Sequence, residues 1–294
     1  VDWNEYLKFA KSLNDGNGKG LAVLMQESSS PTIKSIQEDF KKNLPNADWV
    51  VYESVNNENL YDGIELAFSK RLQPLYRLEK AQIIVSLGSD FLGVDDNNIY
   101  HTRKFAQNRN IVDENSTMNR LYVAESSISS TGSSADHRLN IPQYEMENLL
   151  AELAYELKQL GLRIEAKKVK SSNNLWVKAA AKDLFDGRGE SIIIGGSSLS
   201  KEFHQLIALI NYNLKAPVDY YPLNMSQISS IKNFESLCND MKNGKINNLI
   251  ILGANPVYDS PVDFDFAESL KKVKNSVHLT LSLIHISEPT RHLL

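Results

Sequence analysis

The sequence predicts an α/β fold of two Rossmann-like units, each with a mainly parallel sheet flanked by helices. Three observations carry this expectation. Short apolar runs rich in β-branched residues recur along the chain. Helix-length amphipathic segments separate them, and two of the runs end in a glycine followed by a small residue and then Asp or Asn. With 294 residues, 42% hydrophobic and 23% charged, the chain has enough apolar side chain for two cores of ordinary domain size.

The first strand candidates are residues 20–25, 49–52, 82–87 and 120–124. Each is too continuously apolar for a strand with one wet face, so each reads as a buried parallel strand. Between the first two, Ile33, Ile36 and Phe40 fall at helical spacing, and Ser30 and Pro31 stand where an N-cap and first helical residue belong. A long amphipathic helix is expected over residues 143–160, ending at Gly161. A second strand series follows at 191–195, 218–221, 248–253 and 276–279, and the two halves look like related units. The expected division is therefore 1–142 and 143–281.

The glycine-ended strands are the most informative internal feature. Ile83-Ile84-Val85-Ser86-Leu87-Gly88-Ser89-Asp90 and Leu249-Ile250-Ile251-Leu252-Gly253-Ala254-Asn255-Pro256 share it. A glycine at the carboxyl end of a parallel strand lets backbone N–H groups approach a ligand, at the edge where open α/β sheets bind them. Neither run is a G-x-G-x-x-G fingerprint or a P-loop.

Composition removes several classes. The formal charge of -4, from Lys+Arg 32 and Asp+Glu 36, gives no electrostatic case for a nucleic-acid partner. The single cysteine, Cys238, cannot form an intrachain disulfide, and its neighbours Leu237 and Met241 suggest a buried, inert helical position. No apolar run approaches the roughly 20 residues of a membrane span. Residues 282–294 break the α/β alternation and resemble a translated sequencing adapter; they are expected to be a non-native tail, and His285 and His292 carry no functional weight.

Two further segments hold polar groups in positions that suit a site. Gly195-Gly196-Ser197-Ser198 lies between a strand and a helix, as for an anion at a helix N-terminus, although an ordinary turn has the same pattern. Residues 125–138 follow a strand and gather a carboxylate, hydroxyls, an imidazole and a guanidinium. Asp136 could fix the tautomer of His137, or these groups could satisfy one another and the loop backbone. The prolines of Asn255-Pro256-Val257-Tyr258-Asp259-Ser260-Pro261 suit a rigid ligand-facing loop or a rigid connector.

Glu125 followed by Thr131-Gly132-Ser133-Ser134-Ala135-Asp136-His137-Arg138 resembles the E-x-x-x-x-x-T-G-x-x-A-D-H-R segment of molybdopterin oxidoreductases, and Gly253-Ala254-Asn255-Pro256 resembles their G-x-N-P turn. Within that superfamily, residues 254–261 with Asp263, Phe266 and Leu270 look closest to the large iron-sulfur subunit of bacterial alternative complex III, a quinol oxidoreductase of respiratory membranes. The resemblance places Gly88, Ser89, Asp90, Glu125, Thr131, Gly132, Asp136, His137, Gly253, Asn255 and Pro256 around a vestigial pterin-dinucleotide cleft.

The resemblance implies a scaffold with no catalytic residue, metal or cofactor of its own. Iron-sulfur clusters would lie in domains beyond this chain, the partners would be other subunits of a membrane-bound complex, and the location would be the periplasmic face of a bacterial inner membrane. Two alternatives stand beside it. One is a fragment of an active enzyme carrying molybdopterin guanine dinucleotide, such as a formate dehydrogenase or nitrate reductase. The other, from a different class, is a periplasmic-type small-molecule-binding protein.

Overall fold

A computed structural model describes residues 3–13, 16–114, 116–169, 175–224 and 227–279. The expected tail at 282–294 lies outside these residues. Chain contacts divide the protein into a unit of residues 1–56 with 224–294 and a unit of residues 57–223. The first is therefore discontinuous in sequence.

The discontinuous unit contains α1 (Trp3–Ser12), β1 (Leu21–Met25), α2 (Pro31–Asn43) and β2 (Asp48–Val51) from its first segment. From its second come α9 (Ile231–Lys242), β9 (Asn248–Leu252), α10 (Pro256–Asp259), α11 (Phe266–Leu270) and β10 (Asn275–Leu279). Its sheet is parallel throughout, in the order β10-β9-β1-β2. β1 is buried along its whole length and pairs with β9 in the register Leu21 opposite Asn248. Helix α2 starts as its sequence predicts, with Ser30 Oγ accepting from the Ile33 N–H and Pro31 at the first position. Phe234, Leu237, Cys238 and Met241 of α9 pack on Ala22, Leu24, Leu249 and Ile251.

The 57–223 unit contains α3 (Glu58–Phe68), β3 (Leu72–Tyr76), β4 (Ile83–Leu87), α4 (Asn98–Gln107), β5 (Arg120–Glu125), α5 (Ser130–Ser133) and β6 (His137–Asn140). It continues with α6 (Met146–Gln159), α7 (Leu175–Asp186), β7 (Ser191–Gly195), α8 (Lys201–Leu214) and β8 (Val218–Pro222). Its main sheet is parallel in the order β6-β5-β4-β7. One face is covered by α6, α7 and α8 through Leu150, Leu153, Ala180 and Ile210, and the other by Leu78, Phe91 and Phe105. Both faces are covered, as a continuously apolar parallel strand requires.

Three sequence expectations change. The division at 142/143 does not hold, because β4 and β5, before it, share a sheet with β7, after it. The 218–221 strand is not a member of a second parallel series: it pairs antiparallel with β3 in a separate ribbon. That ribbon includes Pro74, which has no N–H to give and is tolerated in a two-stranded element. The segment after Thr131, read as loop, contains the short edge strand β6.

Candidate functional site

In the 57–223 unit, strand β4 ends at Gly88, whose φ of +68° belongs to the left-handed region. The turn beyond it is held by its own side chains. Ser86 Oγ donates to the Ser89 carbonyl at 2.8 Å, and Ser89 Oγ donates to Asp95 Oδ2 at 2.6 Å. Asp90 Oδ1 accepts from the backbone N–H of Thr131 at 2.9 Å and from its hydroxyl at 2.8 Å, while Thr131 Oγ1 accepts from the Leu92 N–H at 3.0 Å. Asp90 and Thr131 thus fasten the turn after β4 to the turn after β5.

Glu125 ends β5 and is 5% exposed. Its carboxylate accepts from Ser129 Oγ and from Arg138 Nε, each at 2.6 Å, and Ser129 Oγ accepts from the Gly132 N–H at 3.0 Å. A Cβ at position 132 would stand 1.7 Å from Glu125 Oε1, so a larger residue there would have to displace the carboxylate from its partners. The Thr-Gly of the motif closes over its own glutamate.

Asp136 and His137 do not form the acid-base pair their adjacency suggests. Asp136 is ion-paired with Arg109 and accepts from the Leu121 N–H at 2.7 Å. Partial burial opposes its ionisation, but the Arg109 guanidinium and the Leu121 N–H outweigh it and hold the carboxyl below its ordinary value. The His137 ring instead stacks on Tyr122, with centroids 4.6 Å apart and planes at 27°. The strand alternation that begins at β6 points adjacent side chains to opposite faces.

The Gly195–Ser198 turn precedes α8, but the helix N-terminus already has an anion. Glu147 Oε1 accepts from the Ser200 N–H at 3.0 Å. The Gly196 N–H donates to the Leu87 carbonyl at 2.9 Å, and Ser198 Oγ accepts from Gln143 Nε2 at 2.8 Å. These internal hydrogen bonds suit an ordinary turn.

Gly253, Asn255 and Pro256 belong to the discontinuous unit. Gly253 ends β9 with φ +72°, and its N–H donates to the Leu279 carbonyl at 3.1 Å. The Asn255 carbonyl accepts from the N–H groups of Tyr258 and Asp259, starting the short α10 with Pro256 buried at its first position. Around this edge lie carboxylates that sequence reasoning did not single out. The Ser229 N–H donates to Glu27 Oε1 at 2.6 Å, the Glu53 N–H donates to Ser229 Oγ at 2.9 Å, and Tyr52 Oη donates to the Asp259 carbonyl at 2.9 Å. Burial raises the carboxyls of Glu53 and Asp259 above their ordinary values, and burial with the nearby Asp259 carries Tyr52 to about 12.

The sequence reading also missed two buried histidines of the 57–223 unit, His101 and His204, each lowered by burial to about 4. The available signal was the spacing of His101 and Phe105, four apart on the inward face of α4. Among the described residues, no group of three or more His, Cys, Asp or Glu side chains is placed to hold a metal ion. Cys238 is buried, and burial lifts its thiol to about 11.

Solved structures share this α/β fold. Acetylene hydratase from Pelobacter acetylenicus shares the fold at a TM-score of 0.66 and 10% identity, with 95% of this chain covering 50% of that one. This chain thus spans about half the length of that protein. The formyltransferase/hydrolase complex (FhcABCD) from Methylorubrum extorquens, solved with methylofuran, matches at a TM-score of 0.59 and 11% identity, over 98% of this chain and 82% of that one. At these identities the likeness shows the fold alone. No protein-family model and no curated protein matches the sequence.

Proposed function

We propose that this chain is the molybdopterin-oxidoreductase-like region of a subunit of a respiratory quinol-oxidising complex, of the alternative complex III type, and that it works there as a scaffold without a pterin cofactor. The observation that carries the proposal is the use of the motif's polar groups within the fold. Glu125 holds Arg138 and Ser129, Asp90 holds Thr131, and Asp136 holds Arg109 and the Leu121 N–H.

The fold likeness to acetylene hydratase, together with the Glu125 to Arg138 resemblance, supports a loosely molybdopterin-enzyme-like fold. A dinucleotide at this edge would need donors and acceptors directed outward, as at other open α/β sheets. The space over Gly132 is filled by the Glu125 carboxylate, and the N-terminus of α8 by Glu147. Both filled positions favour the cofactor-free reading, and no chemical step is assigned to these residues. In this reading the iron-sulfur clusters are carried by further domains, the partners are the other subunits, and the complex sits at the periplasmic face of a bacterial inner membrane. Among the described residues no helix is long and apolar enough to cross a membrane.

Titration of the 294-residue chain with guanosine diphosphate, the nucleotide half of the pterin dinucleotide, tests this reading by calorimetry. The scaffold reading expects no saturable heat. Saturable binding that is lost in Glu125→Gln and Asp90→Asn would overturn it in favour of a cofactor-binding enzyme fragment.

A further inference from the structure

A cavity of about 50 Å³ lies within the 57–223 unit, over the carboxyl ends of β4 and β7. Its walls include Tyr76, Phe91, Ser89, Asp95, Asp96 and His101. His101 is 2% exposed, and neither ring nitrogen has a hydrogen-bond partner. An orphaned buried nitrogen of this kind is costly and calls for a partner from outside the protein. Burial keeps the ring neutral at physiological pH, so one of its nitrogens is an acceptor.

The cavity's charge has one sign. Asp95 accepts from Ser89 Oγ at 2.6 Å and Asp96 accepts from Asn57 Nδ2 at 2.8 Å, but no ion pair among the described residues joins Asp90, Asp95 or Asp96 to a cation. Aromatic rings complete the walls: Tyr76 and Phe91 lie 5.6 and 6.5 Å from the His101 ring, centroid to centroid. Carboxylates without a counter-ion favour a cation over an anion. The enclosed part of the cavity is small, well below the roughly 150 Å³ that holds benzene, so a small group suits it best. A transition metal would need a denser set of nitrogen and carboxylate ligands than these residues provide.

We propose that this cavity binds a small primary ammonium group, with Asp95 as its counter-ion, a His101 ring nitrogen as acceptor, and Tyr76 and Phe91 as its apolar walls. The site shares Ser89 with the edge described above but uses none of the motif's ion pairs, so it can hold whether or not the scaffold reading does.

The test is an NMR titration of the full chain at neutral pH with methylammonium chloride, using methanol and sodium acetate as size-matched neutral and anionic controls. Nα-acetyl-lysine methylamide tests whether the ammonium can arrive on a side chain. Saturable shifts of the His101 ring resonances with either amine, weakened about tenfold in Asp95→Asn and absent with both controls, support the proposal. Saturation by the lysine derivative assigns the site to a protein side chain, and saturation by methylammonium alone assigns it to a free amine. The proposal is overturned if no amine saturates in the tens-of-millimolar range, or if methanol shifts the His101 resonances equally. The methanol comparison needs no variant, so it decides the matter even if Asp95→Asn fails to fold.

Discussion

The carboxyl edges of the two parallel sheets begin alike and end differently. Each has a strand closing on a left-handed glycine, Gly88 in one unit and Gly253 in the other. At the 57–223 edge two carboxylates meet guanidinium groups, Glu125 with Arg138 and Asp136 with Arg109, although Asp95 beside them joins no ion pair among the described residues and is raised by burial. At the other edge Glu53 and Asp259 join no ion pair among the described residues, and burial raises their carboxyls instead. The shared glycine follows from backbone geometry. What surrounds it separates a braced edge from one whose carboxylates are ionised against a penalty.

The largest break in this comparison comes from removing one brace. Arg138→Ala leaves the buried Glu125 charge with only Ser129, and is expected to cost about 3 kcal/mol, at the low end for a buried pair because Arg138 is partly exposed. The reading is a lower urea midpoint for the 57–223 unit. Glu125→Gln in the same background should recover part of the loss, since it removes the unpaired charge.

Acidification sharpens the comparison next. His101 and His204 fall from an ordinary 6.5 to about 4 in the folded 57–223 unit. As pH drops below 6.5 the unfolded chain takes up protons that the folded unit refuses until about 4, so stability is lost across that window. The loss is at most about 3 kcal/mol per histidine. The raised carboxyls of Glu53 and Asp259 act in the opposite sense. Their folded forms bind protons first, so the discontinuous unit gains stability as pH falls toward ordinary carboxylate values. Hydrogen exchange by peptide at pH 7 and pH 5 should show the 57–223 unit opening first on acidification.

Gly88→Ala and Gly253→Ala are expected to cost about 1–2 kcal/mol each, because both place a Cβ in the left-handed region. Equal losses would confirm that the glycines serve the backbone in both units. The smallest effect concerns Cys238. Its thiol, raised to about 11 in the core of the discontinuous unit, should react with a disulfide reagent only as that unit opens, making it a reporter of that unit alone.

Much of the architecture is legible in sequence because burial leaves a periodic trace. Strands such as Leu21–Met25 and Ser191–Gly195 are apolar on both faces, and the Ser30-Pro31 cap marks its helix. Partners leave no such trace. Nothing in residues 248–252 specifies that they pair with β1, more than two hundred positions earlier, so the insertion of one unit into the other was hidden and the division fell at 142/143. The elements that went unseen, β3 with Pro74 and the polar β6, sit at edges where little apolar surface is buried. In the candidate site, the resemblance picked out residues that do interact, Glu125 with Gly132 and Asp90 with Thr131. Arg138 was visible as the last residue of the motif, whereas Arg109 and Glu147, which also satisfy the site from within, have the sequence appearance of ordinary surface charges.

The most direct test of the scaffold account is the molybdenum and pterin content of the full-length protein matured in its own host, measured per chain by mass spectrometry of the metal and fluorescence of the oxidised pterin. The account expects both to be far below one per chain while the protein stays folded and assembled with its partners. Values near one of each per chain would contradict it and make the braced edge part of a cofactor-binding enzyme.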